Sequence, residues 1–174
     1  MHIITNETSE KHLHILKDLI NKSEKILIAV AFLKESGLNS VKVDLEAALN
    51  RGAKVNIYCG LDFYSTEPGT LRKILILFKK CGDGHLYLYK SDRYTFHPKL
   101  YCFMKARTAY ILIGSANFTH GGFQDNIEIS TLEETAIGSD IYNKVNSFFK
   151  TIEKHSVEAN ELEISQYKRK YDII

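Results

Sequence analysis

The 174 residues include 44% hydrophobic and 25% charged side chains, which is typical of a single soluble globular domain. Basic and acidic residues nearly balance at 23 and 21, so the net charge of +2 does not by itself indicate a nucleic-acid partner. The three scattered cysteines argue against a disulfide framework or a cysteine zinc site. The apolar run at 26–33 is too short to cross a bilayer and the first residues lack a secretory signal, so we expect a cytoplasmic protein that does not bind membranes.

Hydrophobic periodicity predicts alternating helices and strands in the first half of the chain. Apolar residues at three- and four-residue intervals predict a helix at 9–22, and an almost continuous apolar run predicts a strand at 25–33 that is buried on both faces. A second helix at about 40–51 and a strand at 53–59 follow. This strand–helix–strand order predicts a parallel pair joined by a right-handed crossover.

The second half of the chain contains more strands than helices. The predicted elements are a helix at 70–80, strands at 85–89, 99–105, 108–113 and 126–131, and a long amphipathic helix at 139–155. The turn at 105–107 is short, so the two strands that flank it should be antiparallel neighbours. Together the elements predict an α/β fold with a mixed, largely parallel sheet and helices on both faces.

The apolar periodicity fades near residue 157. We therefore assign residues 1–156 to one domain and residues 157–174 to a C-terminal tail or linker. In this tail an acidic stretch is followed by the basic run 168–170, a pattern that is typical of a solvated segment.

A histidine and a lysine two residues apart form the first part of a candidate phosphate site. In an extended segment the side chains of His97 and Lys99 leave the same face, and Pro98 between them favours the extended form at His97. A potential nucleophile and a fixed cation would then face one target. Such a triplet alone is weak evidence, because on an edge strand it usually consists of solvated side chains.

A second segment supplies neutral donors and a carboxylate. Ser115 and Asn117 repeat the two-residue spacing and each offers a hydrogen-bond donor, while Gly114 lets the backbone approach a ligand closely. Glu128 lies further on, where a carboxylate could orient an imidazole. Because a Gly-Ser-x-Asn segment alone is more often a turn, only the combination of both segments favours a phosphate site.

The combined pattern resembles the catalytic signature of the phospholipase D superfamily. The residues that carry the resemblance are His97, Lys99, Gly114, Ser115, Asn117 and Glu128. The segment Gly-Ser-Ala-Asn-Phe-Thr is similar to the nuclease branch, and the chain most resembles the metal-independent type II restriction endonucleases of the NgoFVII-like group. One position differs, since Met104 stands where the superfamily usually has an aspartate that supports the fold.

The resemblance implies a phospholipase D-like fold and a set of site residues. The catalytic residues would be His97, Lys99, Asn117 and Glu128. The substrate would be bound by Gly114, Ser115 and Lys99. Neither a metal nor another cofactor is implied, because lysines and neutral donors would neutralise the phosphate charge.

The resemblance also implies a reaction and an assembly. The chain would be a metal-independent endonuclease that hydrolyses DNA phosphodiester bonds through a covalent phosphohistidine on His97. Because it contains one copy of a motif that larger members contain twice, it would form a homodimer with one active site at the twofold interface. Double-stranded DNA is the expected partner of this catalytic domain of a restriction-type enzyme. A separate domain, towards which 157–174 could lead, would read the bases.

Two other functions remain open. A phospholipid hydrolase or transferase of the same superfamily would use the same chemistry, although the chain shows no membrane-binding amphipathic helix or lipid anchor. A catalytically inert module that binds phosphate or nucleic acid is the other function, and Met104 is the sequence feature that favours it.

Overall fold

A single eight-stranded sheet crosses the whole molecule. The computed structural model describes residues 1–174. Its strands are β1 (His2–Thr5), β2 (Lys25–Val30), β3 (Lys54–Cys59), β4 (Gly84–Tyr89), β5 (Lys99–Lys105), β6 (Thr108–Gly114), β7 (Ile129–Ala136) and β8 (Ser156–Glu158). They lie in the order β1-β7-β6-β5-β2-β3-β4-β8.

The strand directions in this sheet are mostly antiparallel. Only the pairs β2–β3 and β3–β4 are parallel, while the other five neighbouring pairs are antiparallel. The prediction of a mixed sheet is confirmed, but the prediction that it is largely parallel is wrong. The reason lies in the connections, because helices link β2, β3 and β4, whereas a tight turn and a loop without a crossover helix link β5, β6 and β7.

Five α-helices cover the two faces of the sheet. They are α1 (His12–Lys22), α2 (Glu35–Asn50), α3 (Pro68–Cys81), α4 (Asp140–Lys154) and α5 (Glu161–Tyr171). Four of them, α1, α2, α3 and α5, pack over the larger part of the core, and α4 covers the opposite face. The prediction of helices on both faces is confirmed. None of the helices combines the length and the hydrophobicity that are needed to cross a membrane.

Strand β2 lies in the middle of the sheet and is buried on both faces. Ile26, Ile28 and Val30 belong to the larger part of the core, and Leu27 and Ala29 belong to the smaller part beneath α4. Successive side chains of a strand point to opposite faces, so both sets must be apolar. This alternation explains the almost continuous apolar run in the sequence.

Helix α2 begins at Glu35 rather than near Ser40, where the sequence predicts its start. The Glu67 carboxylate accepts a hydrogen bond from the Glu35 backbone amide at 2.6 Å, which satisfies one free donor of the helix start. Gly37 is required in the first turn, because a Cβ there would lie 2.4 Å from the Phe118 carbonyl oxygen. Both partners lie far along the chain, so the local pattern does not reveal them.

The segment 157–174 forms part of a strand and a helix rather than the predicted tail or linker. Val157 lies in β8, which pairs with β4, and α5 buries Ile164 completely and Tyr167 to 95%. The Tyr167 hydroxyl also donates a hydrogen bond to the Thr66 carbonyl oxygen at 2.8 Å. This short helix buries only two side chains, so its hydrophobic periodicity is weak and the sequence pattern does not reveal it.

We expect Ile164→Ala to lower the free energy of unfolding by about 2–5 kcal/mol, because it leaves a cavity beneath α5. Urea unfolding followed by circular dichroism measures the change. Leu162→Ala is the matched control, since Leu162 lies on the same helix and is 63% exposed. The control should change the stability by less than about 0.5 kcal/mol. Equal stability of the wild type and Ile164→Ala would show that α5 is not packed on the core.

Candidate active site

The residues of the predicted site meet at one edge of the sheet. Lys99 at the start of β5 lies beside Val30 at the end of β2. Gly114 at the end of β6 lies beside Ser130 near the start of β7, and β5 and β6 are themselves neighbours. This edge therefore brings together the start of β5 and the loop that follows β6.

His97 and Lys99 are in direct contact. The Lys99 ammonium nitrogen Nζ lies 2.8 Å from His97 Nδ1 and 3.0 Å from His97 Nε2, and it also donates to the His97 carbonyl oxygen at 3.2 Å. The histidine is exposed and the lysine is half-buried. An ammonium group only donates hydrogen bonds and a neutral imidazole has one accepting nitrogen, so one of the two ring contacts is a hydrogen bond. The contact places a cation directly beside the imidazole.

The charge of Lys99 is influenced by its burial and by Glu128. Burial lowers the pKa of Lys99, and the negative charge of Glu128 opposes this shift. The carboxylate therefore acts on the lysine through space, without a hydrogen bond between the two side chains. Its effect favours the charged form of Lys99, which is the form that attracts a phosphate.

Glu128 and Ser115 form a second contact pair. The Ser115 hydroxyl donates to one carboxylate oxygen of Glu128, and the Asn126 side-chain amide donates to the other at 3.3 Å. The same hydroxyl accepts a hydrogen bond from the Ile129 amide at 3.0 Å. Glu128 therefore binds the Ser115 hydroxyl and forms no hydrogen bond with the His97 imidazole.

Asn117 contains the one buried side-chain polar atom that lacks a hydrogen-bond partner. Its Oδ1 is buried and unpaired, which is uncommon because buried polar groups are nearly always hydrogen-bonded. Asn117 follows Ser115 by two residues in the loop after β6. Its side-chain oxygen is thus a buried acceptor to which no group of the chain donates.

Gly114 is fixed by the close packing of β6 on β7. A Cβ at this position would lie 2.1 Å from Ser130 Oγ and 2.3 Å from the Ile129 carbonyl oxygen. Any other residue would force β7 away from β6. The structure thus gives Gly114 a packing role in addition to the close approach of a ligand that the sequence predicts.

A buried network behind the site was not predicted from the sequence. His12 is fully buried, with Nδ1 2.8 Å from Asn6 Oδ1 and Nε2 2.7 Å from Ser130 Oγ. Asn6 Oδ1 only accepts hydrogen bonds, so Nδ1 carries the proton and Nε2 accepts from the Ser130 hydroxyl. Burial lowers the pKa of His12, although the charges of Glu128 and Glu7 oppose this shift. The ring is therefore held in its neutral form.

Asn6 extends this network to the loop that carries Glu128. Its side-chain amide donates to the carbonyl oxygens of Gly122 and Asn126 at 3.1 and 3.0 Å. Asn126 in turn donates to Glu128, so the buried His12 is linked to the carboxylate through Asn6 and Asn126. The partners of Asn6 are 116 and 120 residues away in the sequence, and no local motif reveals such contacts.

The site offers a potential nucleophile in His97, a cation in Lys99, the Glu128 carboxylate and the donor NH2 of Asn117 at one edge of the sheet. These are the groups that can bind a phosphate and attack its phosphorus atom. No group of three or more His, Cys, Asp or Glu side chains is placed to hold a metal ion.

Several solved structures have the same fold. Nuc from Salmonella typhimurium, a phospholipase D family member, superposes with a TM-score of 0.67 at 15% identity over 92% of this chain and 97% of that chain. NucT from Helicobacter pylori gives a TM-score of 0.64 at 17% identity over 85% and 91%. Phosphatidylserine synthase from Haemophilus influenzae gives 0.73 at 15% identity over 98% of this chain and 44% of the synthase. The phospholipase D-like fold is therefore confirmed.

A sequence match then identifies the family. The profile of the family described as NgoFVII restriction endonuclease N-terminal PLD domain matches residues 10–166. The protein belongs to this family, as its resemblance predicts, and is a phosphodiesterase of the nuclease type. The matched range includes the first half of α5, beyond the predicted domain end at residue 156. No curated protein sequence matches the chain.

We expect His12 to make the fold less stable in acid. Burial keeps the pKa of His12 below its usual value of 6.5, so below that pH the unfolded chain binds a proton that the folded chain does not. The free energy of unfolding should therefore fall as the pH decreases from about 7.5 to 5. His12→Gln, which cannot titrate, should lose this part of the pH dependence. It should also be less stable by about 1–3 kcal/mol at neutral pH. Urea midpoints measured across this pH range give both values.

Two other histidines serve as references for this measurement. His14→Gln should keep the wild-type pH dependence, because His14 is exposed on the same helix. His85→Gln should steepen the loss in acid, because a hydrogen bond to Glu158 raises the pKa of His85 and stabilises the fold at low pH. Parallel pH profiles of the wild type and His12→Gln would contradict a neutral, buried His12.

Proposed function

We propose that the protein is a metal-independent endonuclease that hydrolyses DNA phosphodiester bonds through a covalent phosphohistidine. The observation that carries this proposal is the contact of Lys99 Nζ with both ring nitrogens of the exposed His97, at 2.8 and 3.0 Å. It places a cation where the charged phosphate oxygens lie when the imidazole attacks phosphorus. The description of the family as a restriction endonuclease supports DNA as the substrate. In such an enzyme a separate domain reads the bases, because phosphate contacts carry no sequence information.

The reaction proceeds in two steps. In the first step a ring nitrogen of His97 attacks phosphorus, the bond from phosphorus to the leaving oxygen breaks, and the partner's His97 gives that oxygen a proton. In the second step water attacks the phosphohistidine, loses a proton to the partner's His97 and breaks the nitrogen–phosphorus bond. The first step requires one neutral and one protonated imidazole at the same phosphate, and the second requires a neutral imidazole that accepts the proton of water.

The other residues of the site stabilise the transition state. Lys99 of each chain neutralises phosphate oxygens, and the side-chain NH2 of Asn117 donates a hydrogen bond to one of them. Glu128 favours the charged form of Lys99 and fixes the Ser115 hydroxyl. In this scheme two lysines supply the positive charge that a metal ion would otherwise provide.

One chain provides half of this chemistry, so we include in the proposal a homodimer with a single active site on the twofold axis. A shallow groove at the site is lined by apolar Ile113 and Phe148 together with His97 and Lys99. Ile113 and Phe148 are 46% and 37% exposed, and Ile127 on the neighbouring loop is 91% exposed. Exposed apolar side chains around a polar centre are typical of an interaction surface. A second copy placed here would cover them and bring two His97 side chains together.

We expect the wild type to cleave DNA in excess EDTA. His97→Ala should lose at least about a thousandfold in rate, because both the nucleophile and the general acid are removed. Lys99→Ala should lose about a hundredfold, because charge stabilisation in the transition state is weakened. Cleavage of labelled single- and double-stranded DNA, followed on denaturing gels, measures these rates.

Two exposed residues provide matched controls for these substitutions. His14→Ala and Lys105→Ala remove a histidine on α1 and a lysine at the far end of β5, and both variants should cleave at the wild-type rate. Cleavage by His97→Ala at the wild-type rate would disprove the mechanism. Activity that is lost in EDTA and restored by Mg²⁺ would disprove metal independence.

We expect the wild type to sediment as a dimer and Phe148→Asp to sediment as a monomer with reduced cleavage. The reason is the high cost of burying an unpaired carboxylate in an apolar interface. Val43→Asp is the control, because Val43 is 74% exposed on α2 and lies outside the groove; it should remain a dimer. A wild-type monomer with full activity would contradict the shared active site.

A further inference from the structure

A second cavity opens on the same edge of the sheet as His97. It has a volume of about 740 Å³, and we call it the α5 cavity. The lining residues on which the argument rests are Asp62, Phe63, Tyr89, Asp92, Arg169 and Lys170. They lie on α5, or at or just after the carboxyl ends of the parallel strands β3 and β4. This is the edge at which parallel sheets bind their ligands.

Residues of the α5 cavity contact Phe96, the residue before His97. Asp62 Oδ2 accepts a hydrogen bond from the Phe96 amide at 2.9 Å, and Tyr89 stacks on the Phe96 ring with centroids 4.5 Å apart. Phe96 directly precedes His97. The residues that form the wall of the cavity therefore also position the segment that carries the nucleophile.

An exposed aromatic ring stands in the wall of the α5 cavity. Phe63 is 76% exposed, and both Phe63 and Tyr64 have left-handed backbones with φ of 56° and 50°. Residues other than glycine seldom adopt this conformation, and strained backbones of this kind are concentrated at functional sites. Tyr64 is anchored by stacking on Tyr167 with an interplanar angle of 3°, while Phe63 has no aromatic partner. The fold thus holds one large apolar ring in contact with solvent.

The charged groups of the α5 cavity match a nucleotide better than a simple anion. Lys90 is neutralised by an ion pair with Glu163, whereas Arg169 and Lys170 form no ion pair. Asp92 also lacks a charged partner, so the free groups include both signs. A nucleotide carries a phosphate that pairs with basic groups and base amino groups that donate to carboxylates.

The α5 cavity lies close enough to Lys99 for one nucleic-acid strand to reach both sites. Neighbouring strands lie about 4.8 Å apart, which places the ends of β3 and β4 about 10–15 Å from Lys99 along the sheet edge. A nucleic-acid strand advances about 3.4 Å per nucleotide. A base within about four nucleotides of the scissile phosphate therefore reaches the cavity.

We propose that the α5 cavity binds one unpaired nucleotide of the substrate strand, close to the scissile phosphate. Its base stacks on Phe63, and its phosphate contacts Arg169 and Lys170. The cavity volume lies within the range of about 300–1,000 Å³ that is usual for small-molecule sites. This inference rests on the proposed nuclease function and names a feature of its substrate. A base must leave its stack to enter the cavity, so single-stranded or locally opened DNA is favoured.

Binding of a fluorescein-labelled single-stranded oligonucleotide to the full chain tests the proposal. All variants carry His97→Ala, which prevents turnover, and fluorescence anisotropy gives the Kd. Phe63→Gly removes the ring and suits the left-handed backbone, so the fold is retained, as circular dichroism can verify. Its Kd should rise about 10-fold. Phe63→Tyr should bind like the parent, because the stacking ring is present.

Further variants separate a specific site from general attraction of DNA. Arg169→Gln should raise the Kd several-fold, whereas Lys105→Gln, at the far end of β5, should not. Val43→Ala removes an exposed apolar side chain on α2 and should also leave the Kd unchanged. A Kd that is the same for Phe63→Gly and its parent would overturn the proposal. So would equal effects of Arg169→Gln and Lys105→Gln, or a failure of the parent to bind the oligonucleotide.

The outcome for the α5 cavity is distinguishable from the outcome for the nuclease. Binding that depends on Phe63 in a chain whose wild type does not cleave DNA supports the cavity and rejects the nuclease function. If the wild type cleaves DNA but Phe63→Gly does not change the Kd, the nuclease function is supported and the cavity proposal is rejected.

Discussion

The close packing of β6 on β7 at Gly114 and Ser130 is the constraint on which the site depends. Gly114 leaves room for Ser130 Oγ and for nothing larger, and the Ser130 hydroxyl is held from behind by His12. If the two strands moved apart by the width of a methyl group, Ser115 would lose its hydrogen bond to Glu128. The exposed site and the buried network behind it are therefore held by the same strand pair.

Local sequence patterns correctly predicted the elements whose sequence signal lies within one segment. The β5–β6 hairpin has a short turn, β2 has a continuous apolar run, and α4 begins after Ser139, whose side chain accepts a hydrogen bond from the Tyr142 amide. Elements that depend on distant partners were missed or wrong. Strand β1 has too few residues to show a period and pairs with β7, and α5 is recognisable only by what it covers. The strand directions likewise depend on connections that span the fold.

In the candidate site, too, contacts within one segment were predictable and contacts between distant segments were not. A two-residue spacing is enough to place His97 and Lys99 together, because both belong to one extended segment. The partner of Glu128 depends on the register of β6 and β7, which sets the Ser115 amide 3.0 Å from the Ile129 carbonyl oxygen. That register cannot be read from either segment alone. The sequence therefore predicted that His97 and Lys99 lie together, whereas the contacts of Glu128 required the fold.

The outermost strands on the two sides of the sheet are very short. β1 has four residues and β8 has three, so few backbone groups are open for a strand of another molecule to pair with. Such short outer strands protect a sheet against fibril-like growth. The proposed dimer would form at the ends of the central strands instead, where a twofold contact closes on itself and stops after two copies.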